Sequence, residues 1–354
     1  MTIESATTEL SQLPGLEAPT TGALPSPEKI IELGPMKRLM LFSGRSNRPL
    51  AEDIGRQLGV ELGEVSLKTF ANDETYCRYG ESIRGADVFI VQSGSPPVND
   101  HLVELLIMVQ AAKLASAKRI TAVIPWFPYT RQDKKSKPRE PITAKLVADM
   151  LEVAGVDRVL TMDLHAGQIQ GFFTKPVDHM TALPLFAQYY RDKGFFGDKV
   201  VAVSPDAGRV KMARRFGQML EGDLAIMNKT RPEHDKAQVT EVIGDVKGKV
   251  AILSDDMILT GGTLIAGATA LRQAGATEVY ACATHGLFSG DAFENIAGSD
   301  LSLVTVTDTV AIDPVNRPAN VDVLPVSRLL AETIMNVFGD ESVSAIFAGE
   351  NQLF

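Results

Sequence analysis

The sequence predicts an α/β protein made of two similar domains, each a mostly parallel sheet flanked by helices. Short apolar segments that end in small or polar residues alternate with helix-like segments of about ten residues or more, as in βαβ units. The chain has 354 residues. Because domains commonly contain about 150 residues, this length favours two of them.

The first half of the chain begins this alternation at residue 37. Strands are predicted at residues 38–46, 86–94 and 119–129, with further strand signals near Val65 and Cys77. Apolar residues recur at helical spacing in residues 49–58 and 101–117, which predicts a helix in each segment.

The second half repeats the pattern. Strands are predicted at residues 200–206, 249–256, 279–286 and 302–308, and helices at residues 208–220 and 263–273. Ligands of open α/β sheets bind at the carboxyl ends of the strands. The polar residues at these ends are therefore the first candidates for a functional site.

A weak internal repeat relates the two halves. Residues 153–165 and 273–285 share an Ala-Gly pair, then Val, then His, in the same register. Two interpretations stay open: either two domains of one fold arose by duplication, or two βαβ units simply look alike.

The predicted boundaries give an N-terminal extension at residues 1–35 and domains at residues 36–180 and 181–348. The extension is rich in Pro, Thr and Ser, lacks Arg, and contains Glu4, Glu9, Glu17 and Glu28. Targeting peptides are cationic, so this composition indicates a disordered extension instead.

Composition excludes several classes of protein. The formal net charge of −9 argues against a protein that coats nucleic acid, which needs a basic surface. The only cysteines, Cys77 and Cys282, have no pairing pattern, so we expect two reduced thiols in a cytoplasmic protein. No apolar run approaches the length of about 18 residues that crosses a membrane.

The segment ILSDDMILTGGT, residues 252–263, is the clearest binding motif. Its glycines allow the backbone to turn and to bring N–H groups close to an anion, and the following helix adds positive charge at its N-terminus. This predicts a phosphate cradle, with Asp255 and Asp256 placed to bind sugar hydroxyls or Mg²⁺. The alternative is a Gly-rich strand-to-helix turn capped by threonines.

Three further motifs carry charged or ligating groups. Arg131 and Gln132 follow a strand, and Arg matches phosphate oxygens in a bidentate manner. Lys229 and Arg231 are two residues apart, so an extended segment would point both to one side. Asp163 stands next to His165 and could orient its ring. Each motif taken alone also fits an exposed charged loop or a satisfied histidine.

Together with residues 70–85, 128–135, 161–173, 204–208 and 228–232, the segment resembles the ribose-phosphate pyrophosphokinases, or phosphoribosyl diphosphate (PRPP) synthetases. The similarity runs from about residue 37 to residue 348. It implies a type I phosphoribosyltransferase fold and transfer of the β,γ-pyrophosphoryl group of ATP to the anomeric hydroxyl of ribose 5-phosphate, giving PRPP and AMP.

The resemblance also implies roles for individual residues. Lys229 would stabilise the transition state, and Arg231 would assist and bind ribose 5-phosphate. His165 and Asp206 would be Mg²⁺ ligands. ATP would contact Phe70, Asn72, Asp73, Glu74, Arg131 and Gln132. Ribose 5-phosphate would contact Asp255, Asp256, Leu259, Thr260, Gly261, Gly262 and Thr263. Members of the family form homo-oligomers, commonly hexamers, with ATP sites shared between subunits.

The chain departs from the family pattern inside the phosphate loop. Leu259 stands where these synthetases usually carry Asp, and Arg209 stands where many carry Gly. A backbone cradle tolerates Leu, so we expect phosphate binding to survive. Two other functions stay open: a non-catalytic subunit that associates with an active synthetase, and a phosphoribosyltransferase that consumes PRPP. The ATP-side motifs argue against the second.

Overall fold

The computed structural model describes residues 37–230 and 239–344. The predicted extension at residues 1–35 therefore lies outside the described residues. The described residues from Arg38 to Ser344 belong to one compact unit. No helix within the described ranges is long and apolar enough to cross a membrane.

The first half contains seven strands and three longer helices among its described residues. In chain order these are β1 (Leu39–Ser43), α1 (Arg48–Leu58), β2 (Val65–Thr69), β3 (Thr75–Tyr79), β4 (Asp87–Val91), α2 (Val98–Leu114), β5 (Arg119–Ile124), α3 (Thr143–Ala154), β6 (Arg158–Met162) and β7 (Val177–Met180). Five strands form a parallel sheet in the order β1-β4-β5-β6-β7, and β2 and β3 pair as a separate antiparallel hairpin.

The second half forms a larger sheet. Its elements are α4 (Leu183–Asp192), β8 (Val200–Ser204), α5 (Val210–Met219), β9 (Asp223–Thr230), β10 (Val239–Ile243), β11 (Val250–Ile258), α6 (Gly262–Gln273), β12 (Glu278–Gly286), α7 (Ala292–Ala297), β13 (Leu303–Thr307), β14 (Val321–Leu324) and α8 (Ser327–Gly339). The strand order is β10-β9-β8-β11-β12-β13-β14, and only β10 pairs antiparallel in this sheet.

Local sequence explains where the elements begin and end. Helix α1 starts after Asn47, whose side chain accepts a hydrogen bond from the N–H of Leu50, with Pro49 in the first turn. It ends at Gly59, which adopts a left-handed φ of 69° that glycine tolerates without strain. The central strands β4 and β8 are buried along their whole length, which matches their continuous apolar sequence.

Three apolar cores hold the sheets and helices together. One core packs α2 and α3 against the first sheet, and another packs α6 against the second sheet. The third core combines residues of both sheets with α1, α4 and α8, and Tyr190 and Phe216 are fully buried in it. The two halves therefore share a continuous apolar interior, which fixes the edge where their strands end.

The predicted fold class is confirmed, because both sheets are mostly parallel and flanked by helices. The predicted strands and helices all occur within a few residues of their expected limits. One detail differs: β11 runs through Ile258, which pairs with Gly286, so Asp255 and Asp256 lie inside the strand and not after its end. The division into domains near residue 180 stays a prediction.

Candidate active site

The segment from Asp255 to Leu264, which comprises the end of β11, a short turn and the start of α6, lines a cavity of about 330 Å³. Gly261 adopts a φ of 75°, and α6 begins at Gly262, so the turn aims the start of the helix at the cavity. The first N–H groups of a helix point out from its N-terminus, and together with the positive end of the helix they make this a suitable place for an anion. Arg131, His165, Asp206 and Arg209 complete the lining.

The two adjacent carboxylates have different electrostatic environments. Burial, together with the charge of Asp256, raises the pKa of Asp255 to about 8. Burial also opposes ionisation of Asp256, but a hydrogen bond from His165 and the charge of Arg209 outweigh it and lower the pKa of Asp256 to about 2. Ionisation of the pair is therefore favoured at Asp256 over Asp255.

Arg209 and His165 meet at Asp256. Nη2 of Arg209 lies 2.7 Å from Oδ2 of Asp256 and 2.6 Å from Nδ1 of His165, and that Nδ1 lies 2.8 Å from the same carboxylate oxygen. Nε of Arg209 is 3.5 Å from Asp255. A protonated Nδ1 donates to Asp256, whereas a bare Nδ1 accepts from Arg209. The loop after β6 thus reaches the end of β11 in the other sheet.

Asp206 joins this cavity to a second one of about 410 Å³, which is also lined by His165 and Arg209. Its Oδ1 accepts hydrogen bonds from the backbone N–H groups of Gly208 at 2.8 Å and Arg209 at 3.1 Å. These bonds fix the turn that precedes α5. Asp206 therefore positions the backbone of Arg209 while facing both cavities.

The backbone behind His165 is held by a buried polar network. Asp163, with a positive φ of 33°, accepts hydrogen bonds from the N–H of Ala182 at 2.8 Å and from Oγ1 of Thr284 at 2.6 Å. Nε2 of His285 lies 3.1 Å from the carbonyl oxygen of Met162. These contacts tie the carboxyl end of β6 to β12 in the second sheet.

Leu259 lies on the apolar side of the loop. It packs against a small cluster of Trp126, Met257 and Val310, beside Leu287. Leu259 also lines a separate cavity of about 440 Å³ together with Trp126 and Tyr129. Because Trp126 follows β5 of the first sheet, the side chain that departs from the family pattern helps to connect the two halves at the loop.

The predicted ATP-binding residues are divided between two regions. Arg131 lines the loop cavity, and Gln132 accepts a hydrogen bond from Oγ1 of Thr143 at 2.5 Å. Phe70, Asn72, Asp73 and Glu74 form the turn between β2 and β3, where Phe70 is 52% exposed and packs edge-on against Tyr76. None of these four residues lines the two cavities that share His165.

The two predicted catalytic cations, Lys229 and Arg231, lie on either side of residue 230, where the first described range ends. The backbone of Lys229 lies in β9, paired with Thr240 of β10. Arg231 lies outside the described residues. Their convergence on a phosphate therefore stays a prediction.

The contacts add two residues that the motifs did not assign to the site. Arg209 is central to it, although the sequence suggested only a further anion contact. His285 is fully buried and packs against Trp126, with ring centroids 4.7 Å apart and ring planes inclined at 55°. Its only sequence signal was the weak repeat, which places His285 in register with His165.

The side chains at this site must suit the divalent cation that they would bind. Within residues 37–230 and 239–344, no three His, Cys, Asp or Glu side chains group closely enough to enclose a metal ion. His165 and Asp206 nevertheless face the same two cavities. Mg²⁺ commonly takes one or two protein ligands and completes its shell with water and substrate phosphates. The residues present fit a metal bound in that manner.

Comparison with known proteins places this geometry in a family. A model of the N-terminal domain of ribose phosphate pyrophosphokinase matches residues 39–155, and a model described as a phosphoribosyl synthetase-associated domain matches residues 200–348. The ribose-phosphate pyrophosphokinase of Fusobacterium nucleatum is 50% identical over 307 residues, covering 87% of this chain and 97% of its own length. That of Caldanaerobacter subterraneus is 50% identical over 309 residues, covering 87% and 98%.

A solved structure is also similar. The crystal structure of phosphoribosylpyrophosphate synthetase from Mycobacterium smegmatis superposes with a TM-score of 0.81 at 45% sequence identity. The match covers 86% of this chain and 100% of the other.

Proposed function

The chain belongs to the ribose-phosphate pyrophosphokinase family, and from this premise we infer that it is a ribose-phosphate diphosphokinase. It transfers the β,γ-pyrophosphoryl group of ATP to the anomeric hydroxyl of ribose 5-phosphate, giving PRPP and AMP. One observation carries the proposal: Arg131 and His165, which follow strands of the first sheet, line the same cavity as the loop of the second sheet.

The reaction asks mainly for positioning and charge neutralisation. The anomeric oxygen forms a bond to the β-phosphorus while the bond from that phosphorus to the α-phosphate oxygen breaks, so AMP leaves. The start of α6 and the threonines of residues 260–263 would hold the 5-phosphate. Asp255 and Asp256 would orient ribose hydroxyls. Holding both reactants in line supplies much of the rate enhancement in such transfers.

Fixed positive charge would surround the transferred group. Arg131 faces the cavity and would contact phosphate oxygens of ATP, and Lys229 and Arg231 would act on the pyrophosphoryl group as it moves. Preorganised cations stabilise the charge of the transition state because they need no reorientation during the reaction. His165 and Asp206 would hold Mg²⁺, which neutralises charge on the phosphate oxygens.

The direct test is formation of AMP and PRPP from ATP, ribose 5-phosphate and Mg²⁺. We expect AMP to appear only with the sugar, in equal amounts to PRPP. A 1-deoxy analogue of ribose 5-phosphate, which lacks the anomeric hydroxyl, serves as the matched control and should give no AMP. AMP that forms equally with and without the sugar would exclude this reaction.

A second candidate is a non-catalytic subunit that associates with an active synthetase. Leu259 favours it, because Leu cannot supply the carboxylate that synthetases usually have at this position. Complete absence of AMP in the test above, followed by turnover in Leu259→Asp, would support this candidate. Turnover by the unmodified chain would exclude it. The presence of Arg131, His165, Lys229 and both aspartates favours the active enzyme.

We further propose a homo-oligomer, a hexamer by family resemblance, in the cytoplasm. The position of Phe70 supports shared sites: it is exposed in the β2–β3 turn, where it could reach the nucleotide of a neighbouring subunit. The two cysteines, Cys77 and Cys282, form no disulfide, in keeping with a reducing compartment.

A further inference from the structure

Arg209 places a positive charge at the centre of the acidic site. Its guanidinium contacts Asp256 and His165 at 2.7 and 2.6 Å and approaches Asp255 at 3.5 Å. The Arg209 side chain is only 15% exposed, and Asp256 is almost fully buried. A guanidinium so placed satisfies the groups that a bound divalent cation and the sugar hydroxyls would otherwise use.

The backbone of Arg209 is anchored, but its side chain has room to move. Asp206 accepts the N–H of Arg209 at 3.1 Å, which holds the turn before α5. The side chain lines both cavities that meet at His165. Rotation about its side-chain bonds could therefore carry the guanidinium from Asp256 to a phosphate in either cavity.

We propose that Arg209 is a tethered cation that competes with the divalent cation that His165 and Asp206 would hold, because its guanidinium contacts Nδ1 of His165 and the adjacent carboxylate of Asp256. Two positive charges a few ångströms apart repel strongly in a partly buried site. A free metal ion must displace Arg209 from Asp256 and supplies no anion in exchange. A metal ion that arrives with a phosphate supplies that anion. Arg209 thus makes the site prefer a metal–phosphate complex over the metal alone.

This inference rests on the proposed function for the presence of a metal, but its test needs no turnover. The probe is Mn²⁺, and free Mn²⁺ is measured by electron paramagnetic resonance in the absence of substrates. We expect Arg209→Gln to bind Mn²⁺ about tenfold more tightly than the unmodified protein, because the competing charge is gone. Arg214→Gln, an equal change of charge at an exposed position of α5, should stay within about twofold.

A second measurement adds inorganic phosphate. Phosphate should strengthen Mn²⁺ binding to the unmodified protein more than to Arg209→Gln, because only the former has a guanidinium to pair with the anion. If Arg209→Gln does not fold, Arg209→Met also removes the charge but keeps a long unbranched side chain, and it should likewise bind Mn²⁺ about tenfold more tightly than the unmodified protein. Equal Mn²⁺ affinities in the Arg209 variants and Arg214→Gln would overturn the proposal. If Arg209→Gln binds Mn²⁺ more tightly but the unmodified protein forms no PRPP, the inference about Arg209 holds and the proposed function is wrong.

Discussion

His165 follows β6 of the first sheet, and His285 lies near the end of β12 of the second sheet. The environments of the two histidines are opposite. The side chain of His165 is 35% exposed, faces two cavities and contacts Asp256 and Arg209. His285 is fully buried and packs against Trp126, and its Nδ1 lies 2.9 Å from Oγ1 of Thr309. One histidine is available to ligands, whereas the other is enclosed where the two sheets meet.

The difference shows how the two positions depend on one another. Nε2 of His285 lies 3.1 and 3.3 Å from the carbonyl oxygens of Met162 and Asp163. Those residues form the end of β6, from which His165 extends. His285 therefore holds the backbone that carries His165, and does so from the other sheet. The comparison predicts separate effects on turnover and on stability.

Replacement of His165 should give the largest of the expected effects. It should lower turnover and leave stability nearly unchanged. We expect His165→Ala to lower the rate of PRPP formation by about 100- to 1,000-fold, because a proposed Mg²⁺ ligand is lost. The free energy of unfolding should change by less than about 1 kcal/mol, since Asp256 keeps its bond to Arg209. Initial rates and urea denaturation measure the two quantities.

The control for this change is His101→Ala, which removes a histidine from α2 outside both cavities. His101 contacts the carbonyl oxygen of Ser95 at 2.8 Å, so its loss should leave turnover within about twofold. A 100- to 1,000-fold loss of rate corresponds to roughly 3–4 kcal/mol. If His165→Ala also lowered the free energy of unfolding by that amount, the division of roles between the two histidines would be contradicted.

Replacement of His285 should act on stability first. His285→Ala removes a fully buried ring, its contact with Trp126 and its bonds to β6, so we expect a loss of about 2–3 kcal/mol in the free energy of unfolding. A double-mutant cycle with Trp126→Ala should show coupling of about 0.5–1.5 kcal/mol. If the effects of the two substitutions were additive, the contact between the His285 and Trp126 rings would add nothing to stability beyond the burial of each ring.

The contrast between the two histidines explains which features were predictable from the sequence. The strands, the helices and the loop at residues 252–263 follow from local patterns of apolar residues and glycine, and each was found close to its predicted limits. The burial of a histidine depends on residues far away in the chain. His285 meets Met162 across 123 residues, and Trp126, which it also contacts, follows β5 of the first sheet.

The contacts of Arg209 were likewise not predictable from the local sequence. The sequence identified Arg209 as an unusual cation, but its partners are distant: His165, 44 residues before it, follows β6, and Asp256, 47 residues after it, lies in β11. The extension of β11 past Asp256 depends likewise on pairing with β12. Local motifs therefore located the chemistry, whereas the pairing of distant side chains had to be read from the structure.

The smallest expected effect is a dependence of stability on pH. Burial lowers the pKa of His285, despite the nearby charges of Asp163 and Asp256, and burial also lowers the pKa of His179. Nε2 of His179 accepts a hydrogen bond from the N–H of Leu164 at 2.8 Å, a contact that its neutral form makes. Below about pH 6.5 the unfolded chain gains protons on these rings that the folded protein does not.

The contribution of each ring is therefore complete above about pH 6.5 and is lost as the pH falls toward the folded pKa, with a slope of at most about 1.4 kcal/mol per pH unit. His285→Gln keeps a polar side chain but does not titrate. Its free energy of unfolding should decline less steeply than that of the unmodified protein between pH 7 and 5, by about 1 kcal/mol over the interval. Urea midpoints at pH 7, 6 and 5 compare the two proteins, and parallel curves would show that His285 is not held neutral by its burial.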